Sequence, residues 1–242
     1  MSAAVAGGAV VIFMAVKEEA APLGTRLKGG EMGGARVDLV LAGPGPRRAG
    51  AVAEQVIAAA RPTAVVCAGL GGGLAPELRR GDLVLATRVV EHEGDDAFEP
   101  HPDLLAAARG IIPEFSRVHE HVVVTAPRVV GTAAEKRALH PRGGVVDMES
   151  AAVARVAERH GVPFLALRVI SDTAHEDFPI DLNRYVDEQG NVQRMKLAFA
   201  ALGRPHAVPF LLRMRQSAVD GAVRLASFLE RCMVEISRRS PK

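Results

Sequence analysis

Aromatic residues are scarce in this chain of 242 residues: there is no tryptophan and a single tyrosine. That excludes the stacking platforms of single-stranded nucleic-acid binders, and a net charge of +2 excludes the broad basic footprint that duplex binders need. Cysteine is scarce too. Cys67 lies in an apolar run and Cys232 in a helical pattern, so a disulfide scaffold is excluded and a reduced, cytoplasmic protein is expected. No apolar stretch approaches the roughly 18 residues that span a bilayer. Met1–Met14 lacks a positive leading region and reads as a first strand rather than a signal peptide. No cluster has metal-ligand spacing, so no metal is expected; the alternation of His119-Glu120-His121 suits a solvated strand face. The absence of G-x-x-x-x-G-K-[ST] excludes a P-loop triphosphatase.

What the chain does contain is apolar sequence, 48% of the total, enough to exclude disorder and build a sizeable core. Short apolar runs alternate with helical patterns. Ala9–Val16, Arg36–Ala42, Ala64–Ala68, Asp82–His92, Val122–Thr125, Val145–Asp147 and Phe164–Ser171 read as strands. Lys17–Leu27, a stretch from Ala49 with apolar residues at Val52, Ala53, Val56, Ile57 and Ala60, Ser150–His160 and the C-terminal region read as helices. The pattern predicts one α/β domain over residues 1–242: a three-layer αβα sandwich around a mainly parallel mixed sheet. Residues 174–216 break the alternation and read as a cap-like insertion.

Ligands of such sheets bind beyond the carboxyl ends of the strands. There the sequence gathers Glu18 and Glu19, Gly43-Pro-Gly-Pro-Arg-Arg48, a glycine-rich loop Gly69–Gly73, Asp147-Met148-Glu149 and Ser171-Asp172. Gly43 and Gly45, with Arg47 and Arg48 beside them, form a candidate phosphate loop, since glycine turns bring backbone N–H groups to an anion. A solvent-facing βα turn is the alternative. Arg48 stands at the third glycine position of G-x-G-x-x-G, which argues against a dinucleotide-binding dehydrogenase. Asp172 follows six apolar residues; poor solvation there suits a general acid, and an N-cap for a following helix is the alternative. Arg168, on the same strand, needs a carboxylate partner if buried.

The segments AVKEEA (15–20), CAGLGGGLAPELRRGDLVLA (67–86), VVDMESAAVA (145–154) and LRVISDTA (167–174) together resemble the purine nucleoside phosphorylase and nucleosidase family, which includes methylthioadenosine/S-adenosylhomocysteine nucleosidase. The resemblance implies that Asp172 serves N7 of a leaving purine and that Glu149 binds the ribose hydroxyls with Met148 against the sugar. It also implies that Val129 and Val130 line the base pocket, and that Glu19 orients an attacking water. Gly69, Gly71 and Gly72 fall in the substrate loop, with Leu70 where the family commonly has a small hydroxyl residue. Phosphate and water both stay open as nucleophile: Arg47 and Arg48 favour inorganic phosphate as co-substrate, Glu19 favours water. No other cofactor is implied, and a homo-oligomer is.

The C-terminal third resembles the hopanoid-associated branch of the family at Phe178–Asn183, Asp187–Val192 and Gly203–Arg215. That resemblance implies phosphorolysis of adenosylhopane with release of adenine. Asn191–Lys242 carries a net charge of +7 against −5 for the remainder, and holds the apolar run Val208–Leu212 beside Arg213 and Arg215. Such a stretch suits weak peripheral contact with a membrane, or an amphipathic helix packed on the sheet. The expectations are therefore three: phosphorolysis of a lipid-linked adenine nucleoside, hydrolysis of methylthioadenosine or S-adenosylhomocysteine, or a nucleoside-binding module without turnover.

Overall fold

The computed structural model describes residues 8–113, 116–185 and 207–239. Every residue of β1 (Val10–Met14) is buried, and the run is divided by the two-residue period of a strand. Val10, Ile12 and Met14 join one apolar core, Val11 and Phe13 the other. A strand covered on both faces suits the interior of a parallel sheet, and β1 pairs in parallel with β3 (Ala35–Leu41) and β4 (Ala64–Gly73). Further on, β5 (Leu83–Glu91), β7 (Val118–Thr125), β8 (Val145–Asp147) and β9 (Phe164–Asp172) complete the body of the sheet. Strand β4 pairs with β9, β9 with β5, β5 with β7, β7 with β8, and β8 returns to β4, so five strands close on themselves. The β4–β8 and β5–β9 pairs are antiparallel and the others parallel, as a mixed sheet requires.

Helices cover both faces. On one side lie α1 (Lys17–Gly24), α3 (Pro102–Arg109) and the 32-residue α6 (Val208–Arg239), which supply Leu23, Leu105, Leu225 and Leu229 to their core. On the other lie α2 (Pro46–Ala60) and α5 (Ser150–Arg159), with Ala53, Ile57, Val153 and Ala157. A short helix, α4 (Ala133–Leu139), stands near the carboxyl ends of the strands, opened by a Thr132–Glu135 capping box.

Three departures from the sequence reading have physical causes. The stretch Gly69–Gly73 is not a loop: β4 runs to Gly73, because β9 pairs with it on one side and β8 at Gly72 and Gly73 on the other. Residues 208–216 are the start of α6, not part of a cap; Pro209 sits in the first turn, where a missing N–H costs nothing. Asp172 caps no helix; an irregular segment follows it up to the 3-10 turn Leu182–Tyr185. Asp187–Val192 and residues 203–206 lie outside the described residues. The two-residue strands β2 (Glu31–Met32) and β6 (Ala97–Phe98), and the short helices α3 and α4, carry too little periodicity to be read from sequence.

Candidate active site

A cavity of about 320 Å³ opens where the carboxyl ends of β1, β4, β8 and β9 meet. It brings together Glu19, Gly71, Gly72, Val129, Val130, Met148, Glu149 and Asp172. Leu70, Phe178, Leu182, Met214 and Ala218 add apolar walls, and Arg128 and Arg215 are its cations. Gly69 is not in the wall but directly behind it. A Cβ there would lie 2.9 Å from Glu19 Oε2 and 3.0 Å from Arg168 Nη1, so the bare glycine lets both groups close on the strand.

Glu19 stands in the first turn of α1 and is half-buried, but its inner oxygen, Oε2, is shut away from solvent with no hydrogen-bond partner. Burial pushes its carboxyl up to about 7, against the opposing pull of Arg168 and the Leu70 and Ala15 backbone. Glu149 is the N-cap residue of α5, but its side chain makes no cap bond: its Oε1 accepts a 2.8 Å hydrogen bond from the Gly45 N–H. Burial first, then the neighbouring Asp147, pushes the Glu149 carboxyl above the ordinary carboxylate range.

Beneath these carboxyls lies a fixed ion pair. Arg168 is 1% exposed; its Nε donates to Asp147 Oδ2 at 2.8 Å, and its Nη2 to Asp147 Oδ2, to Ser150 Oγ at 2.8 Å and to Cys67 Sγ at 3.1 Å. Asp147 also accepts from Thr125 Oγ1 at 2.6 Å and the Ser150 N–H at 3.0 Å. The pair is the structural partnership a buried arginine requires, and it leaves Asp147 occupied.

Asp172 is buried at the cavity edge, but its surroundings are not simply apolar. Ser171 Oγ donates to Oδ1 at 2.6 Å, and Lys136 Nζ lies 2.6 Å from Oδ2 in ion-pair contact, though not aligned as a hydrogen bond. Lys136, on α4, is completely buried. It went unread in the sequence because a lysine at a helical position ordinarily faces solvent. The available signal was its spacing, three residues from both Ala133 and Leu139 on the buried face of α4. Asn183 was also missed: its Oδ1 accepts from the Val129 N–H and its Nδ2 donates to Val129 O, both at 2.9 Å, pinning the segment that carries Val129 and Val130.

The structure does not bring the glycines and arginines of the candidate phosphate loop into the cavity. Gly43 and Gly45 do have left-handed backbones, at φ 76° and 89°. Their N–H groups are taken, however: Gly43 donates to Ala15 O and Gly45 to Glu149. Of Gly43–Arg48 only Pro44 reaches the cavity; Arg47 and Arg48 are exposed outside it, and the Arg48 side chain folds across Gly43. His119 and His121 stack on β7 and face Asp82 and Glu77; among the described residues no group of three or more potential ligands could hold a metal.

A sequence model of the phosphorylase superfamily matches residues 10–202. The chain belongs to the phosphorylase superfamily. A 5′-methylthioadenosine/S-adenosylhomocysteine nucleosidase of Shewanella halifaxensis is 27% identical over 188 residues, 69% of this chain and 82% of that protein. The corresponding protein of Shewanella oneidensis is 28% identical over 181 residues, 66% of this chain and 77% of that protein. Among solved structures, the Colwellia psychrerythraea nucleosidase in complex with adenine has a TM-score of 0.74 at 21% identity, covering 96% of this chain and 97% of that one. The Neisseria meningitidis nucleosidase in complex with methylthio-immucillin-A scores 0.71 at 21% identity, covering 93% and 97%. The Helicobacter pylori futalosine hydrolase scores 0.68 at 21% identity, with the same coverage. At these identities the likeness is one of fold, and it bears out the three-layer sandwich with a mixed sheet. Among the described residues no helix is long and apolar enough to cross a membrane.

Proposed function

We propose that this phosphorylase-superfamily chain is an enzyme that cleaves the N-glycosidic bond of an adenine nucleoside, with water as nucleophile. One arrangement carries the choice of water: Glu19 lines the same cavity as Glu149 and Asp172, and burial there pushes its carboxyl up to about 7. A base titrating near the operating pH is the efficient one. The names of the Shewanella relatives support the same reading. Phosphorolysis, which leaned on Arg47 and Arg48, loses that support because neither lines the cavity.

The proposed roles follow from where charge develops. As the bond breaks, the sugar gains positive and the purine negative charge. In this assignment Glu149 binds the ribose hydroxyls with Met148 against the sugar, and Glu19 takes a proton from the attacking water. Val129, Val130 and Phe178 enclose the base, and Asp172 serves its N7. Preorganised charges of this kind act most strongly in a site closed to water.

Exposed Val208, Leu212, Val219 and Val223 on α6, with Arg213 and Arg215, support a longer apolar 5′ substituent met at a membrane surface. Adenine release from methylthioadenosine, S-adenosylhomocysteine and a nucleoside with a long apolar 5′ chain, without and with phosphate, tests both readings. Release in phosphate-free buffer is expected. A strict phosphate requirement would return the chain to the phosphorylases, and a preference for the long chain would favour the lipid-linked substrate.

A further inference from the structure

Asp172 does not face the cavity alone. Lys136 Nζ donates to Thr173 O at 2.8 Å and Glu176 O at 3.2 Å, and stands 2.6 Å from Asp172 Oδ2 in ion-pair contact. The ring of Phe178, itself part of the cavity wall, is centred 5.2 Å from Nζ. The side chain has no exposed surface, whereas Asp172 reaches the cavity. Within this arrangement the carboxyl links the ammonium to the cavity. The loop that wraps the ammonium is itself tied down. Arg80 pairs with Glu176 and donates to Ser171 O at 2.6 Å, Ala133 N–H donates to Asp177 Oδ1 at 2.7 Å, and Phe178 N–H donates to Gly131 O at 2.8 Å.

Burying a lysine with a carboxylate contributes little to stability, because desolvating both charges offsets most of their attraction. A methionine would fill the same space. The position of Nζ at the head of the Asp172 carboxyl is explained by chemistry instead. We infer that Lys136 supplies, through Asp172, the proton that the leaving base takes up. The inference rests on the proposed nucleoside cleavage.

The step balances. The resting pair is an ammonium and a carboxylate that share one transferable proton. As the C1′–N9 bond breaks, its electron pair passes to the purine. The proton moves from Lys136 Nζ to the Asp172 carboxyl and on to N7, leaving a neutral amine, an ionised carboxyl and neutral adenine. Water forms the new bond to C1′ and gives its proton to Glu19. When adenine leaves, Lys136 regains a proton from cavity water by way of Asp172. Lys136 touches no substrate, so it is a positioning residue as well as a proton source. The other charged groups around the pair are engaged or across the cavity. Arg80 pairs with Glu176, Arg128 with Glu135, Asp177 accepts from Ala133, and Glu19, Glu149 and Arg215 line the remaining walls.

The test compares Lys136→Met with wild type on methylthioadenosine and on a riboside whose 4-nitrophenolate departs without a proton. Loss of one positioned acid costs about a hundredfold or more, so that loss is expected on the adenine nucleoside. Little loss is expected on the nitrophenyl riboside. The rate on the nucleoside should also fall at lower pH on the alkaline side than in wild type, since Asp172 must then draw its proton from solvent. Lys136→Met/Asp172→Asn should be no slower than Asp172→Asn, because groups acting as a unit are not additive. Equal losses on both substrates, or no loss on either, would overturn the inference and leave Lys136 a structural ion-pair partner. If Lys136→Met does not fold, infrared difference spectra of the ligand-free wild type decide, with the Asp172 band assigned by its loss in Asp172→Asn. A carboxylate at neutral pH is expected, and a carboxylic acid band would overturn the inference. That readout needs no turnover. A wild type that cleaved neither substrate would therefore sink the proposed function separately.

Discussion

Gly69→Ala places one methyl group against the Glu19 carboxylate. The new Cβ would stand 2.9 Å from Glu19 Oε2 and 3.0 Å from Arg168 Nη1. Comfortable contact begins at about 3.5 Å, so something must retreat by roughly half an ångström. Arg168 is held by Asp147, Ser150 and Cys67, whereas Glu19 Oε2 has no hydrogen-bond partner. Glu19 is therefore the group that moves. Overpacking of this kind costs about 1–3 kcal/mol of stability, or a fall of a few degrees in Tm. A misplacement near 1 Å at a reacting group costs about a hundredfold in rate, so half of that should lower kcat by about tenfold. The assay is adenine release beside thermal melting, in the wild-type and Glu19→Gln backgrounds. The alanine should slow the first and leave the second unchanged, because the group it displaces is already disabled. A wild-type kcat in Gly69→Ala, or an equal slowing in both backgrounds, would refute the role given to Glu19.

Asp172→Asn should lower kcat about a hundredfold or more while the protein stays folded, since Asn keeps an oxygen for Lys136 but delivers no proton; unchanged turnover would remove Asp172 from the acid role. Arg168→Met should destabilise by about 3–5 kcal/mol, because Asp147 is left as a buried unpaired charge; denaturant melts measure it, and a loss below about 1 kcal/mol would contradict the pairing. Glu19 and Glu149 hold protons in the native state that the unfolded chain releases above the ordinary carboxylate value of 4.5. Their stabilising contribution is thus complete below that value and is lost as pH rises through about 7 for Glu19, and on the alkaline side for Glu149 as well. In that window each costs about 1.4 kcal/mol per pH unit. Ligand-free protein should melt lower at pH 8 than at pH 5.5, Glu149→Gln should flatten the slope, and a flat wild-type profile would show that neither carboxyl is shifted.

The layers of the fold were legible because buried parallel strands announce themselves as apolar runs, as in β1 and β9, and because α2 and α5 keep a helical stripe. What escaped was local. Gly69–Gly73 carry no side-chain pattern, so nothing in the sequence distinguishes a strand from a loop there, although the pairing with β8 and β9 decides it. Glu19, Glu149 and Asp172 could be singled out as carboxyls just beyond strand ends. Their partners could not, because Gly45, Lys136 and Asn183 reach them, or their wall, from 104, 36 and 54 residues away along the chain. Arg47 and Arg48 stand outside the cavity, and the turn beside them shows the converse: a glycine turn looks available to an anion until its N–H groups are found bonded to Ala15 and Glu149.

The central claim is that water, with its proton taken by Glu19, replaces adenine at C1′. Turnover of methylthioadenosine in ¹⁸O-enriched water, in buffer that also contains phosphate, tests it most directly when the sugar is trapped at once by reduction and weighed. The account predicts adenine released together with a free sugar carrying one solvent-derived ¹⁸O, in the same yield whether phosphate is present or not. A sugar 1-phosphate with no solvent oxygen at C1′ would contradict it.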